Sequence, residues 1–144
     1  MLRKIKIQNY ALIEDLEVSF ESGMSAITGE TGAGKSILLG GLSLVLGKRA
    51  DLSSLLDITK KCIVEASFDI EFYDLETSFE GLNLDYDKHT ILRREILPQS
   101  KSRAFVNDTP VTLDILQKIS QKLLDVHSQN DTLTPVSYTH LRAH

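Results

Sequence analysis

The sequence predicts an α/β fold, one domain or part of one, on three observations. An apolar run, MSAI, leads into the glycine-rich string GETGAGKS at residues 29–36 and then into a second apolar run, ILLGGLSLVL. Downstream, CIVEASFDIEF alternates apolar and polar residues almost without a break. Further on, Leu113, Leu116, Ile119 and Leu123 recur at three- and four-residue spacing. A buried strand feeding a loop and helix, a strand with one wet face, and an amphipathic helix together make a layered α/β unit.

The chain has 144 residues and 42% hydrophobic content, enough for one core. Its net charge of −4 offers no overall basic surface to a polyanion, so nucleic-acid contact would need a local patch or further sequence. Cys62 is the single cysteine, which excludes an internal disulfide framework and suits a reducing cytosol. It falls on the apolar phase of its segment and is expected to be buried packing. No basic-then-apolar leader opens the chain, and the longest apolar run is glycine-broken and too short to cross a bilayer. A soluble intracellular protein is expected.

The elements follow in order. LRKIKIQNY and LEVSF read as strands separated by a turn, the second with Leu16, Val18 and Phe20 in alternation. Glu21, Ser22 and Gly23 break the pattern before MSAI, a short buried strand. A helix from about Lys35 to Leu46 should bury Ile37, Leu38, Leu42 and Val45 and stop at Gly47. In CIVEASFDIEF, Cys62, Val64, Ala66, Phe68, Ile70 and Phe72 share one face, with Ile63 alone out of phase. TILRREIL and RAFVN are further strands, and Asn107 and Asp108 mark a turn leading through Thr109, Pro110 and Val111 to a helix. Thr112 can cap that helix, and LLDVH then reads as another short strand ending at SQND.

GETGAGKS fits G-x-x-x-x-G-K-[ST] at Gly29, Gly34, Lys35 and Ser36, the phosphate loop of a P-loop NTPase. The glycines let the chain turn its N–H groups inward and pass close to a ligand. Lys35 would reach the terminal phosphates as a compact cation, and the Ser36 hydroxyl would hold Mg²⁺, which keeps its waters and takes few protein ligands. A helix starting at about Gly34 adds free N–H groups and the positive end of its dipole. The nucleotide-binding set is therefore Gly29, Glu30, Thr31, Gly32, Ala33, Gly34, Lys35, Ser36 and Ile37.

From QNYALIEDLEVSFESGMSAITGETGAGKSILLGGLSLVLGKRAD, through ILRREI, SRAFVNDTPV and LLDVHSQND, the sequence resembles the N-terminal ATPase lobe of the RecN family of bacterial DNA repair proteins. These are SMC-like, ABC-type ATPases, and the likeness runs to about residue 134, most specifically in LGKRAD and RAFVNDTPV combined with the phosphate loop. The resemblance implies the N-terminal lobe of an ABC/SMC-type head, truncated here, with an antiparallel-strand-rich insert and with ATP and Mg²⁺ as cofactors. It implies a head assembled with a C-terminal half from the same chain across a coiled coil, a head-to-head homodimer, DNA as partner of the intact protein in double-strand break repair, and a cytoplasmic, nucleoid-associated location without membrane contact. Matched residue by residue, Lys35 and Gln129 carry the catalytic roles, and Ser36 and Gln129 the metal. The family reads His-Gly-Gln where this chain has His127, Ser128 and Gln129, which puts the geometry of that loop in question. Without the resemblance, SQND reads as a solvated loop, and His127 as a packed or solvent-facing residue.

Arg93, Arg94, Lys101 and Arg103 form the clearest local basic cluster, open to two readings: phosphate contacts with DNA, or a solvated face balanced by Glu95. Arg49 and Asp51 read either as nucleotide-proximal or as a helix-end charge pair. The last residues, VSYTHLRAH, resemble the translation of a sequencing-library adaptor, so residues 1–134 are expected to be the native part and 135–144 a foreign tail, with His140 and His144 set aside. The resemblance implies an ATPase whose site also needs an acidic strand end and a signature loop from the opposing head. No apolar run followed by paired acids comes after the phosphate loop, so the intact protein is expected to hydrolyse ATP and these residues alone are not. Competing functions are a membrane transporter's nucleotide-binding domain, a GTPase or small-molecule kinase, and a structural domain with an unused phosphate loop. By family resemblance a transporter places this glutamine much nearer the phosphate loop than Gln129 stands to Lys35, and a GTPase carries an Asn-Lys-x-Asp motif that this sequence lacks.

Overall fold

The computed structural model describes residues 1–20, 32–50, 55–99, 101–129 and 136–143, the side chains of 32–35, 124–129 and 136–143 excepted. Its elements are β1 (Leu2–Tyr10), β2 (Ile13–Phe20), α1 (Gly32–Val45), β3 (Cys62–Asp69), α2 (Glu76–Gly81), β4 (His89–Ile96), β5 (Ser102–Val106), β6 (Thr109–Val111), α3 (Leu113–Gln129) and β7 (Val136–Ala143). The strands form one seven-stranded sheet in the order β6-β5-β4-β3-β1-β2-β7, with each neighbouring pair antiparallel.

Alternation sets the faces, and register carries them across the sheet. Ile5 lies opposite Val18 on one side and Ala66 on the other, and Ile7 opposite Leu16 and Val64. The stripe continues from Ala66 to Leu92 and from Leu92 to Val106. These side chains are all buried. Helix α1 lies on this apolar face: a methyl group at Gly41 would stand 2.6 Å from Ile7 Cδ1 and 3.7 Å from Val64 Cγ1. The opposite face carries ion pairs, among them Lys4 with Glu17 at 3.6 Å and Arg93 with Glu65 at 3.9 Å.

Most strands and both long helices stand where the periodicity places them. The hairpin turn between β5 and β6 has Asn107 at φ 49° and Asp108 at φ 67°, the two positive angles that a tight, right-twisted hairpin requires. Asn107 also stitches this turn to β4, accepting from the Ile91 N–H at 2.9 Å through its own side-chain oxygen. Thr112 caps α3 as expected, taking the Ile115 N–H on its hydroxyl at 3.3 Å.

Four differences have physical causes. LLDVH is helical, because α3 runs on to Gln129 without a glycine or proline to stop it. Phe72 is 90% exposed: pairing of β1 with β3 ends at Leu2 opposite Phe68, and beyond it the chain turns, Tyr73 N–H donating to the Ile70 carbonyl at 3.1 Å. Thr109–Val111 is a strand, too short to show alternation in sequence. Helix α2 buries only Phe79, edge-on to Tyr86 at 5.6 Å between ring centroids, so it has no periodic stripe to read. The expected MSAI strand lies outside the described residues.

Candidate functional site

Helix α1 opens inside the glycine-rich string. Gly32, Ala33, Gly34, Lys35 and Ser36 all belong to it, so the helix begins two residues before the expected Gly34. Its first turn therefore takes from the motif itself the N–H groups that have no partner within the helix, and it contains no acidic side chain that would compete for them. Ser36 is exposed and Ile37 half-buried, while Leu38 is fully buried against the sheet. Gly29, Glu30 and Thr31 lie outside the described residues. A helix end with no acidic side chain in its first turn and with an exposed hydroxyl fits a phosphate group and a Mg²⁺ ion.

The far end of α1 is tied down from outside the helix. Gly47, at φ 101°, ends it with paired reverse bonds, its own N–H donating to the Leu44 carbonyl at 3.1 Å and that of Lys48 to Ser43 at 3.0 Å. The last turn has no basic residue of its own. Arg94 of β4 supplies the charge, its Nη1 donating to the Leu44 and Lys48 carbonyls, each at 2.8 Å, and its Nε to Ser102 Oγ at 2.7 Å. Gln117 of α3 adds a bond from Nε2 to the Gly47 carbonyl at 2.8 Å. In the middle, Gly40 lies under the Tyr10 ring, where a methyl group would stand 2.2 Å from the phenol oxygen, and Gly41 sits on Ile7.

Arg94 corrects the reading of a basic cluster. Neighbouring strand residues face opposite ways, so Arg93 and Arg94 cannot share a surface. Arg94 is 1% exposed and points into the core. Arg93 lies flat over Phe105, 4.3 Å from the ring centroid, among Glu65, Glu95 and Asp108. Glu95, 8% exposed at its side chain, also takes Lys61 and Arg103 at 3.7 and 3.8 Å. Arg93 and Arg103 are thus paired with carboxylates within the sheet, while Lys101 is exposed, so the four cations do not form one patch. The phase of Arg94 with Leu92 and Ile96 was a legible sign of burial.

Asn9 is a second residue the sequence reading passed over. At φ 56° it turns its side chain to the segment after α1, donating to the Asp57 and Lys60 carbonyls at 3.0 Å each and accepting from the Asp57 N–H at 2.7 Å. Cys62 is buried as expected, and burial pushes its thiol up to about 12 against the opposing pull of Arg94. Gln129 is the last residue of α3, with its side chain and that of His127 outside the described residues. Arg49 is exposed, and Asp51 lies outside the described residues. Among the described residues no three His, Cys, Asp or Glu side chains converge as a metal site, and no helix is long and apolar enough to cross a membrane.

Comparison with known proteins bears on this geometry. The chain is 40% identical over 131 residues to the DNA repair protein RecN of Vibrio cholerae, an alignment covering 90% of this chain and 24% of that protein. It is 38% identical over 136 residues to RecN of Halalkalibacterium halodurans, covering 93% of this chain and 24% of that one. The chain thus spans about a quarter of the length of these relatives. Among solved structures it matches one from a study of ATP-driven dimerization and DNA-stimulated activation of SMC ATPases, with a TM-score of 0.63, 20% identity, and coverage of 85% of this chain and 79% of that one. The fold is that of an SMC-type ATPase head in part, an α/β P-loop unit with an antiparallel-rich sheet. Residues 4–140 match the family described as AAA domain, and the chain belongs to that family.

Proposed function

We propose that this chain is the ATP-binding lobe of an SMC-like ATPase acting in DNA double-strand break repair. The observation that carries the reading is the opening of α1 within GETGAGKS, with no acidic side chain in its first turn, on a sheet of SMC-head fold. Gly29–Ile37 would surround the phosphates, Lys35 would neutralise the terminal ones, and Ser36 with Gln129 would hold Mg²⁺. When bound, the nucleotide–Mg²⁺ pair supplies a phosphoryl group for transfer to water. Lys35 and Gln129 are the groups of this chain that would act on it. Both relatives described above are DNA repair proteins, which disfavours the transporter alternative.

The whole protein would pair two heads, complete each with a C-terminal half, engage DNA, and work in the cytoplasm on the nucleoid. Residues 1–134 alone would bind nucleotide without turning it over, and 135–144 would be a foreign tail, a point that resequencing the source DNA across codon 134 decides. The test is ATP binding by the whole protein carrying this segment, measured by titration calorimetry. Lys35→Ala should weaken binding by about tenfold or more, the loss of one charge-assisted contact. Equal affinity in the variant would defeat the reading, and steady hydrolysis by residues 1–134 would defeat the division of labour.

A further inference from the structure

We infer that Arg94 is a positioning residue for the phosphate-binding end of α1, acting with Gln117 as a clamp on the opposite end of the helix. The inference rests on the nucleotide reading above and extends it to the antiparallel insert. A buried guanidinium needs partners, and among the described residues those of Arg94 are neutral oxygens: two carbonyls at the α1 terminus and one hydroxyl on β5. Desolvation lowers the pKa of Arg94 from its ordinary value, so the helix end receives a cation that burial disfavours. The core could have been filled more simply by an apolar side chain. What a cation adds there is a fixed direction, because Nη1 holds both carbonyls from within the plane of a guanidinium whose Nε is itself anchored to Ser102 Oγ.

That direction is transmitted along a rigid body. Helix α1 touches the sheet at Gly40 and Gly41, where contacts with Tyr10 and Ile7 leave no slack. Measured from Gly41 at ~1.5 Å per residue, the arm to Gly32 is about 13 Å and the arm to Leu44 about 5 Å. A small shift of the clamped end is therefore magnified more than twofold, to roughly 1 Å or more, at the N–H groups that face the phosphates. Misplacement of about 1 Å takes an N–H···O contact of ~2.9 Å out of hydrogen-bond range, and each charge-assisted bond lost weakens binding by about tenfold or more. Gln117, holding Gly47 from α3, limits rotation about the same end. Since α3 ends in Gln129, one clamp links the helix of the phosphate loop to the helix that carries the expected water- and metal-holding glutamine.

The experiment uses the whole protein carrying this segment, with Mg²⁺-ATP titrated by calorimetry into wild type, Lys35→Ala, Arg94→Met, Arg94→Lys and Phe79→Ala, at a temperature where each remains folded. Phe79 is the buried side chain of α2, edge-on to Tyr86 and outside the bonds of the clamp, and controls for lost stability. Arg94→Met should raise the dissociation constant about tenfold or more, the loss of one charge-assisted bond to phosphate. Arg94→Lys should fall between it and wild type, because an ammonium keeps the charge and can donate to the carbonyls from one nitrogen but has no second donor to hold Ser102 Oγ and fix its direction. Phe79→Ala should stay within about twofold of wild type despite its lower melting temperature. An Arg94→Met constant within twofold of wild type, or an equal rise in Phe79→Ala, overturns the inference. Should Arg94→Met not fold, Arg94→Lys is judged alone: a rise of about threefold or more sustains the clamp, and an unchanged constant overturns it. Failure of wild type to bind ATP, or binding undiminished in Lys35→Ala, instead sinks the nucleotide reading.

Discussion

Cys62 shows how burial decides between competing effects at a single residue. Arg94 nearby favours the thiolate, yet desolvation outweighs it and the thiol is held up to about 12. The folded value lies above the unfolded one, so this contribution to stability is complete below the unfolded pKa of about 9 and is lost as pH rises through about 12. Urea midpoints measured from pH 8 to 11 should fall with rising pH, and a Cys62→Ala variant should lose part of that slope. For the same reason, Cys62 should resist a thiol reagent at pH 8 in the folded protein and react promptly in denaturant. Asn9→Ala should cost about 2 kcal/mol by chemical denaturation, since it strands buried backbone groups and places alanine at φ 56°. Neither Asn9 nor Gln117 could be found from periodicity: each bonds to backbone carbonyls that carry no sequence signal. Arg94 could be found, because it shares the apolar phase of β4.

At the scale of elements, α1 and α3 depend on their ends. Gly47→Ala should destabilise the protein by about 1–2 kcal/mol, because it forces a side chain to φ 101° and against Gln117. Thr112→Ala should cost about 1 kcal/mol through loss of the α3 cap, and Thr112→Ser about half of that or less, both read from thermal melts. The elements that were legible in sequence are those long enough to show a period: β1 through β5, α1, and α3 as far as Leu123. The three residues of β6 and the single buried side chain of α2 show none. LLDVH was misread because a short apolar run fits strand and helix equally well, and only the absence of a breaker favoured the helix. The phosphate loop was legible at once through its glycine and lysine spacing, whereas the parts that hold its helix in place lie on β1, β4 and α3, far away in sequence.

Across the whole molecule, the two faces of the sheet carry different kinds of stability. One buries the apolar stripe under α1; the other carries a lattice of partly exposed ion pairs, each worth about 1 kcal/mol or less. Raising salt from 0.05 to 0.5 M should therefore shift the unfolding free energy by only about 1 kcal/mol. The sheet order has a separate consequence, in time. Strand β1 meets β2 through a tight turn, but its other edge meets β3, with Ile5 opposite Ala66, so the phosphate motif and α1 form an excursion between two strands that flank the same neighbour. Closing that excursion is a non-local step, slower than making the first hairpin. On a ribosome, the nucleotide motif emerges complete well before β3, β4 and Arg94 exist to seat its helix. The nascent chain thus passes through a stage in which the motif is fully written and the site it encodes has no floor.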